Sequence, residues 1–403
     1  MTASAAIGWR WCVPALVIAA LSTSLTESAQ AQIPQASGPV RQVVSNSFCY
    51  VVREDGSVVG WGQEEEGLGG ARTVPAGGVT MTPFVLTLPG KVQQMAAGAV
   101  TTYALMQDGT LWAWGRNAEG QFGRGPGSRR TPDNPMESAT PLKLDVPGDI
   151  VRISAASRYA LAVRRDGSVL VWGDTPWERP SAALAPLAGV PPVVDVAAAG
   201  SHALLLARDG TVYGIGDNKD AQLGLDPMVT RRTATPVKVP GIDRVTAVGA
   251  WGTSNFGYSG ALRQDGTVWM WGSDQSATMG DGSFWGDNGS SDPTPVPTMV
   301  KGISTAKMLS LGAGHVAVLL ADGTLRLWGH DGWGQIGVGT NGFYYKVPKT
   351  PKVTGVAAVF ATGYMTFALK PDGSLLWWGA SLAERRNLEL GRNHFVPTPL
   401  TLP

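Results

Sequence analysis

The residues of this chain that could perform chemistry are mostly aspartates placed at regular intervals. Each is followed by glycine, then by Ser or Thr, an apolar residue, two further positions and Trp-Gly, which is replaced by Ile-Gly in the fourth copy. The seven copies begin at Asp55, Asp108, Asp166, Asp209, Asp265, Asp322 and Asp372. Carboxylates can serve as general acids, bases or nucleophiles. Seven equal copies indicate structure instead, because Asp-Gly between β-prone runs predicts a two-residue hairpin turn in which the aspartate side chain hydrogen-bonds nearby backbone.

No other reactive constellation stands out from this repeat. The four histidines are His202, His315, His330 and His394, and the first two share one repeat position. They do not form a metal-ligand or nucleophile–base pattern. The stretch from Asp281 to Asn288 resembles a calcium loop only faintly, since it lacks the alternating carboxylates and the closing glutamate. The glycine-rich runs do not open helices after strands, as phosphate loops do. We therefore expect no enzyme activity, no catalytic residues, no metal and no cofactor.

The repeat also fixes where tryptophan and glycine occur. The turn glycines are Gly56, Gly109, Gly167, Gly210, Gly266, Gly323 and Gly373. The tryptophans of Trp-Gly are Trp61, Trp114, Trp172, Trp271, Trp328 and Trp378, while the fourth copy has Ile215. An indole ring at one position of every unit predicts packing between neighbouring units, because the ring buries a large area. A light-sensing tryptophan cluster is the alternative.

Four β-prone segments occur in each copy, which predicts an all-β fold. Successive Asp-Gly pairs lie 43 residues (Asp166 to Asp209) to 58 residues (Asp108 to Asp166) apart. This spacing fits four-stranded propeller blades, whereas a linear solenoid would need polar capping units at its ends. We predict a seven-bladed β-propeller of antiparallel blades. Short Pro-Gly links suggest hairpins within a blade, so we expect repeat and blade to be out of phase, with residues 397–402 pairing with residues 40–44 to close the ring.

The N-terminal residues differ from the rest. Arg10 precedes an apolar run from Trp11 to about Leu21, and the segment ending in Ala31 fits a signal-peptidase site. The run is too short for a comfortable transmembrane span. We predict a cleaved signal peptide at 1–31, a short linker at 32–39 and a single propeller domain at 40–403, in a secreted or periplasmic monomer that is not inserted in a membrane. An uncleaved anchor is the alternative.

Charge and cysteine content limit the partners and the covalent chemistry. Lys plus Arg number 32 and Asp plus Glu number 31, so the chain has no excess of positive charge. We therefore do not expect it to bind nucleic acid. Removal of the signal peptide would leave Cys49 as the one cysteine, and its register, which holds small residues in most other copies, predicts a buried inert thiol.

These motifs resemble the regulator of chromosome condensation repeat, which joins Gly-x-His, an Asp-Gly hairpin, Trp-Gly and Asn-x-x-Gly-Gln-Leu-Gly. The last element is found at residues 117–123, 218–224 and 332–337, and the family histidine is found as His202 and His315. The resemblance implies the propeller fold. Founding members of the family are nuclear exchange factors for a small GTPase and bind chromatin, while other relatives are secreted inhibitors of β-lactamases. An export signal and a neutral charge balance argue against the nuclear role.

A partner is expected on the face that carries the variable loops, because variable loops on a rigid scaffold are where function usually resides. Aromatic residues that do not follow the repeat concentrate in repeats five and six: Trp251, Phe256, Tyr258, Phe284, Trp285, Trp333, Phe343, Tyr344 and Tyr345. Clustered aromatic side chains are typical of binding hot spots, although they could also pin long loops in place. We expect a binding scaffold for a protein or a surface glycan. The alternatives are a secreted-enzyme inhibitor, a propeller hydrolase or lyase, and a guanine nucleotide exchange factor.

Overall fold

Seven four-stranded antiparallel sheets make up the protein in a computed structural model. The structure describes residues 39–45, 48–63, 68–70, 79–127, 134–177, 183–253, 255–284, 293–340, 342–380 and 394–402. The expected signal peptide, residues 32–38 of the expected linker, and Trp285 lie outside the described residues. Across those ranges, no helix is long and apolar enough to cross a membrane.

The strands of each blade follow one another in the chain. Blades 1 to 3 contain β1 (Val40–Ser45), β2 (Phe48–Arg53), β3 (Val58–Gln63), β4 (Val79–Val85), β5 (Val92–Ala97), β6 (Thr101–Met106), β7 (Leu111–Arg116), β8 (Glu137–Lys143), β9 (Ile150–Ala155), β10 (Tyr159–Arg164), β11 (Val169–Gly173) and β12 (Ala185–Leu187). Blades 4 and 5 contain β13 (Val193–Ala198), β14 (His202–Ala207), β15 (Val212–Asp217), β16 (Arg232–Lys238), β17 (Val245–Gly252), β18 (Gly257–Arg263), β19 (Val268–Gly272) and β20 (Thr294–Met299). Blades 6 and 7 contain β21 (Ala306–Leu311), β22 (His315–Leu320), β23 (Leu325–His330), β24 (Tyr344–Lys349), β25 (Ala358–Thr362), β26 (Met365–Leu369), β27 (Leu375–Gly379) and β28 (His394–Leu400).

The second strand of a blade is buried on both faces, as in β6, where all six residues are buried. Such strands read as continuous apolar runs because neighbouring blades cover both sides of the sheet. Seven apolar clusters result, one at each boundary between blades. The seven-bladed propeller predicted from the sequence is therefore confirmed.

The prediction that residues 397–402 pair with residues 40–44 to close the ring is wrong. Strand β28 pairs with β27 of its own blade, and β1 pairs with β2. The Pro-Gly links, five to eight residues long, instead cross from the outer strand of one blade to the inner strand of the next. A short link suffices because the inner strand begins beside the preceding turn, as when the Val92 N–H donates to the Gly56 carbonyl at 2.9 Å. The ring closes by packing of blade 7 against blade 1, for example Phe367 against Trp61 with ring centroids 6.3 Å apart.

The Asp-Gly turns are three-residue loops and not the two-residue turns that the sequence suggested. In blade 1, the Gly56 N–H donates to the Arg53 carbonyl, and a positive φ occurs at Gly56 but not at Asp55. This combination is a turn followed by a glycine bulge. All seven aspartates accept a hydrogen bond from the backbone N–H two residues later. In six of the seven copies the hydroxyl of that residue also donates to the aspartate, which explains the preference for Ser or Thr there.

Glycine is required in these turns for space as well as for backbone conformation. Gly109 has a φ of +82°, and a Cβ there would lie 2.3 Å from the carbonyl oxygen of Gly148 in the link to the next blade. The turn therefore packs directly on the crossing segment, which leaves this face of the disc short and uniform. We call it the clipped face, and the opposite side the loop face.

Candidate functional site

The tryptophans of Trp-Gly belong to the boundaries between blades. All six are buried. In five of them the indole Nε1–H donates to a carbonyl of the loop that leaves the preceding blade, as from Trp172 to Gln121 at 2.6 Å and from Trp328 to Thr278 at 2.8 Å. The loop after one Trp-Gly thus supplies the hydrogen-bond acceptor for the next. These rings serve packing and are not available to a partner.

The fourth copy has no tryptophan at this position. The third copy, directly before it, does not have the Asn-x-x-Gly-Gln-Leu-Gly element. Ile215 stands in the tryptophan position and packs in the same cluster as Trp177, which comes from the blade 3 loop. Trp177 also contacts Tyr159 edge-on, with ring centroids 5.0 Å apart. An indole from the preceding blade therefore fills the space that an indole of blade 4 would otherwise occupy. The two departures from the repeat compensate each other.

The two repeat histidines form part of the same boundaries. His202 Nε2 lies 2.9 Å from Ser259 Oγ, and that hydroxyl donates to the Gln222 carbonyl at 2.8 Å. Because the hydroxyl hydrogen is used in this way, His202 must donate from Nε2. His315 contacts Thr366 in the same way. Burial lowers the pKa of both histidines to about 3. Their role is to join adjacent blades.

A hydrolase or lyase would need carboxylates in the axial channel, and Asp195 is a carboxylate that lines it. A cavity of about 360 Å³ on the clipped side is lined by inner-strand residues that include Gln94, Arg152 and Asp195 on one side and Met308 and Phe360 on the other. Burial raises the pKa of Asp195 to about 6, against the lowering effect of the Arg152 charge. No group of three or more potential metal ligands occurs in the part of the chain that the structure describes.

Three of the predicted aromatic residues, Phe284, Trp333 and Tyr344, belong to one continuous group of rings on the loop face. Phe284 of blade 5 packs on Tyr344 with ring centroids 4.5 Å apart, and Tyr344 packs on His330 at 5.3 Å. His330 in turn meets Tyr364 of blade 7 at 6.2 Å, and Tyr364 meets Trp333 at 6.4 Å. We call these five residues the aromatic arc. It spans three consecutive blades.

Two members of the arc, His330 and Tyr364, were not among the predicted residues. His330 directly follows Trp328-Gly329, and burial lowers its pKa. Tyr364 lies in the tight turn between β25 and β26, one position before the register of the repeat histidine. Their positions on the loop face follow from the blade topology, so the repeat register could have indicated them.

The predicted residues outside the arc differ in their surroundings. Phe343 directly precedes Tyr344 of the arc in the chain and is 66% exposed, compared with 38% for Trp333 of the arc. The Tyr345 hydroxyl contacts Thr340 Oγ1 at 2.7 Å, which holds its ring within its own loop. Trp251 and Phe256 form a separate pair with ring centroids 5.3 Å apart.

Tyr258 does not belong to an exposed patch. It is fully buried in β18, and its hydroxyl donates to the Gly312 carbonyl of blade 6 at 2.7 Å. It occupies the repeat-histidine register, which explains why it joins two blades. The expectation that Tyr258 contacts a partner is therefore wrong.

A wide opening of the axial channel connects the aromatic groups on the loop face. This cavity, about 1030 Å³, is lined by Trp251 and Thr253 of blade 5, by Tyr364 of blade 7 and by Arg158 of blade 3, among others. Arg158 forms an ion pair with Asp174 at 2.7 Å. The largest exposures of apolar side chains among the described residues are at Met228 and Val229, in the loop of blade 4. The arc thus borders the central opening on one side of the ring.

The fold and the site define a class: a closed seven-bladed propeller with a uniform clipped face and an aromatic, loop-bearing face. Two models of the regulator of chromosome condensation (RCC1) repeat match the chain, one at residues 92–121 and 193–222 and the other at 108–163 and 209–256. The chain thus contains regulator of chromosome condensation repeats at these residues, within a seven-bladed β-propeller.

Three curated relatives illustrate the similarity. The RCC1 domain-containing protein RUG3, mitochondrial, of Arabidopsis thaliana is 25% identical over 243 residues, which are 59% of this chain and 42% of the relative. The human E3 ubiquitin-protein ligase HERC2 is 25% identical over 338 residues, 80% of this chain but 7% of that protein. The human regulator of chromosome condensation is 24% identical over 326 residues, 74% of each chain. The chain therefore spans less than half the length of the first two relatives.

Solved structures show the same fold. Yeast RCC1 (Prp20), solved with Kap60 bound to it, superposes with a TM-score of 0.73 at 19% identity, covering 94% of this chain and 91% of that chain. Human WBSCR16 superposes with a TM-score of 0.70 at 22% identity, covering 87% and 95%.

Proposed function

We propose that the protein is a non-catalytic extracytoplasmic scaffold that binds a protein partner through the aromatic arc and the adjoining Phe343. The observation that carries this proposal is the continuity of the arc across blades 5, 6 and 7, next to a phenylalanine that is 66% exposed. Exposed aromatic clusters on a rigid support are typical centres of binding energy, since large rings bury area with little loss of conformational freedom.

Relatives support a protein as the partner. The yeast structure contains a propeller of this fold bound to Kap60, and a second yeast Prp20p structure is described together with its binding to Gsp1p and histones. Those partners belong to the yeast proteins. Their relevance here is that a propeller of this kind presents a surface on which another protein can dock.

The extracytoplasmic location is part of the same proposal. Residues 1–31 have the charged start, the apolar run and the small residues of a signal peptide. The near-equality of basic and acidic residues fits a partner other than nucleic acid. A secreted or periplasmic site of action follows, and inhibition of a secreted enzyme is the narrower form of the proposal.

The test is a site-specific capture experiment. A photo-crosslinking amino acid at position 343 of the mature chain is exposed to the extracytoplasmic fraction of the native cell, and cross-linked proteins are identified by mass spectrometry. The variant Trp333→Ala, with the probe kept at position 343, should lose the captured protein because Trp333 is an exposed ring of the arc.

A matched control uses exposed apolar residues on the same face but in another blade. The double variant Met228→Ala/Val229→Ala should capture the same protein as the unaltered chain, since these residues lie in blade 4, away from the arc. Equal capture by the arc variant and by the unaltered chain would refute the arc as the docking surface. Capture of a glycan by the unaltered chain, with no protein, would replace the protein partner.

A further inference from the structure

The first residue of the loop element Asn-x-x-Gly-Gln-Leu-Gly differs between blades in a way that concerns the arc. In blades 2 and 4 it is asparagine, Asn117 and Asn218. Its Oδ1 accepts from a backbone N–H five residues later, at 2.7 Å from Phe122 and at 2.8 Å from Leu223. Its Nδ2 donates to carbonyls of the returning loop, for example from Asn218 to Thr230 at 2.6 Å. One amide side chain thus ties the two ends of the loop together.

In blades 5 and 6 the same position holds an aspartate, Asp274 and Asp331. The first half of the pattern is kept, because Oδ1 accepts from the N–H of Met279 at 3.1 Å and of Ile336 at 2.8 Å. The second half is changed, because the atom in the place of the amide nitrogen is now a carboxyl oxygen. In Asp331 this Oδ2 is buried and has no hydrogen-bond partner among the described residues. An ionised carboxylate cannot donate to a carbonyl, whereas a protonated one can.

The surroundings of Asp274 Oδ2 also favour the protonated carboxyl, for a different geometric reason. The Ser283 hydroxyl lies 2.6 Å from Asp281 Oδ1 and 3.2 Å from Asp274 Oδ2. A hydroxyl has one hydrogen, and the shorter contact to exposed Asp281 takes it. Ser283 can then donate only weakly to Asp274 at 3.2 Å, whereas a protonated Asp274 could itself donate to the Ser283 oxygen.

Both aspartates lie at the base of the loops that present the arc. Ser283, held by Asp274, directly precedes Phe284. The Asp331 N–H donates to the carbonyl of Phe343 at 2.6 Å, and Trp333 lies two residues beyond Asp331. The blades with asparagine at this position contribute no member of the arc.

We propose that Asp274 and Asp331 make the aromatic arc a pH-sensitive binding surface, best ordered when both carboxyls are protonated in weakly acidic surroundings and loosened when they ionise. The binding consequence rests on the proposed function, whereas the loosening of the loops does not.

The electrostatic surroundings support this direction. Burial raises the pKa of Asp274 to about 6, and the charge of Asp281 adds to the rise. Burial raises the pKa of Asp331 to about 6, against the N–H groups of Ile336 and Gly342, which lower it. The other titratable groups near the arc are His330, whose pKa is lowered by burial, and Lys346, whose ammonium lies over the Phe284 ring.

The sign follows from proton linkage. The closed loop binds a proton more tightly than the open loop, in which an aspartate has its ordinary pKa near 3.8. Raising the pH through 6 therefore removes protons from the closed loop alone and favours opening. For one aspartate, the ratio of open to closed loop rises by about tenfold between pH 5 and pH 7.5.

The experiment measures hydrogen–deuterium exchange of the backbone at pH 5 and pH 7.5, corrected for the intrinsic exchange rates, without any partner. In the unaltered chain, protection of residues 274–284 and 331–337 should fall about tenfold at the higher pH, while residues 117–123, which contain no aspartate, should not change. In Asp274→Asn/Asp331→Asn, protection should be equal at the two pH values. Equal behaviour of this variant and the unaltered chain would overturn the proposal.

A second variant guards against a failure to fold. Asn117→Asp places the same carboxyl in blade 2 and should give residues 117–123 the pH dependence that they lack. An unchanged profile there would also overturn the proposal. Because these measurements use no partner, their failure is distinct from a failure to find a protein that cross-links at position 343.

Discussion

The histidine that joins blades 4 and 5 makes stability depend on pH in a calculable way. His202 is fully buried, donates from Nε2 to Ser259, and has a pKa lowered to about 3. In the unfolded chain its pKa is near 6.5. Between these values the unfolded chain binds a proton that the folded chain does not, so stability falls as pH drops through 6.5 towards 3. From pH 7 to pH 5 the loss is about 2 kcal/mol.

The replacement His202→Gln isolates this contribution. Glutamine can still donate to Ser259 but does not titrate, so the variant should lose about 2 kcal/mol less than the unaltered chain between pH 7 and pH 5. The measurement is the free energy of unfolding by urea at both pH values. Any packing cost of the variant is present at both and cancels in the difference, as do the opposite contributions of Asp195, Asp274 and Asp331, whose raised pKa values favour the folded state as pH falls.

The matched variant His315→Gln should show the same difference, because His315 makes the equivalent contact between blades 6 and 7. The double variant should then differ from the unaltered chain by about 4 kcal/mol, since the two boundaries are well separated. Identical pH dependence in the variants and the unaltered chain would show that these histidines titrate normally in the folded state, and would refute the neutral, donating role.

Three further predictions concern the core. Trp328→Phe removes the indole donor to Thr278 and should lower the free energy of unfolding by about 1–3 kcal/mol in urea titration; no change would show that this boundary does not depend on the bond. Phe367→Ala, at the boundary that closes the ring, should cost about 3–5 kcal/mol in the same assay, and a cost below 1 kcal/mol would contradict closure by packing. Cys49 is buried, so an aromatic disulfide reagent should modify it only as fast as the chain unfolds; immediate modification of the folded protein would contradict that burial.

The repeat pattern predicted the fold because its signals are local. Asp-Gly with a following Ser or Thr encodes a turn whose hydrogen bonds lie within three residues, so sequence alone identifies it. The blade boundaries were harder. The length of a link such as residues 86–91 does not show which sheet receives the next strand, and the hydrogen bond from Val92 to Gly56 that settles it joins residues from two blades.

The candidate site could be predicted in part. Adjacency of repeats five and six indicated that Phe284, Trp333 and Tyr344 lie near one another, and the structure connects them through His330 and Tyr364; their role in binding stays a prediction. Tyr258 was misassigned because an apparent insertion was given more weight than the repeat register, which places that residue between blades. The buried, unpartnered Oδ2 of Asp331 could not be recognised from the sequence, because the exchange of asparagine for aspartate shows neither the burial of that atom nor the groups around it.

Each blade is formed by one uninterrupted stretch of chain, and this has a consequence for rearranged versions of the molecule. New chain termini placed in any link between blades, for example between Leu86 and Val92, would separate no strand from its sheet. A permuted chain whose former termini are bridged by a linker of the natural length, five to eight residues, should recover all 28 described strands with their partners. Whole blades can likewise be duplicated or lost as units, so that variation in blade number requires no re-pairing of backbone.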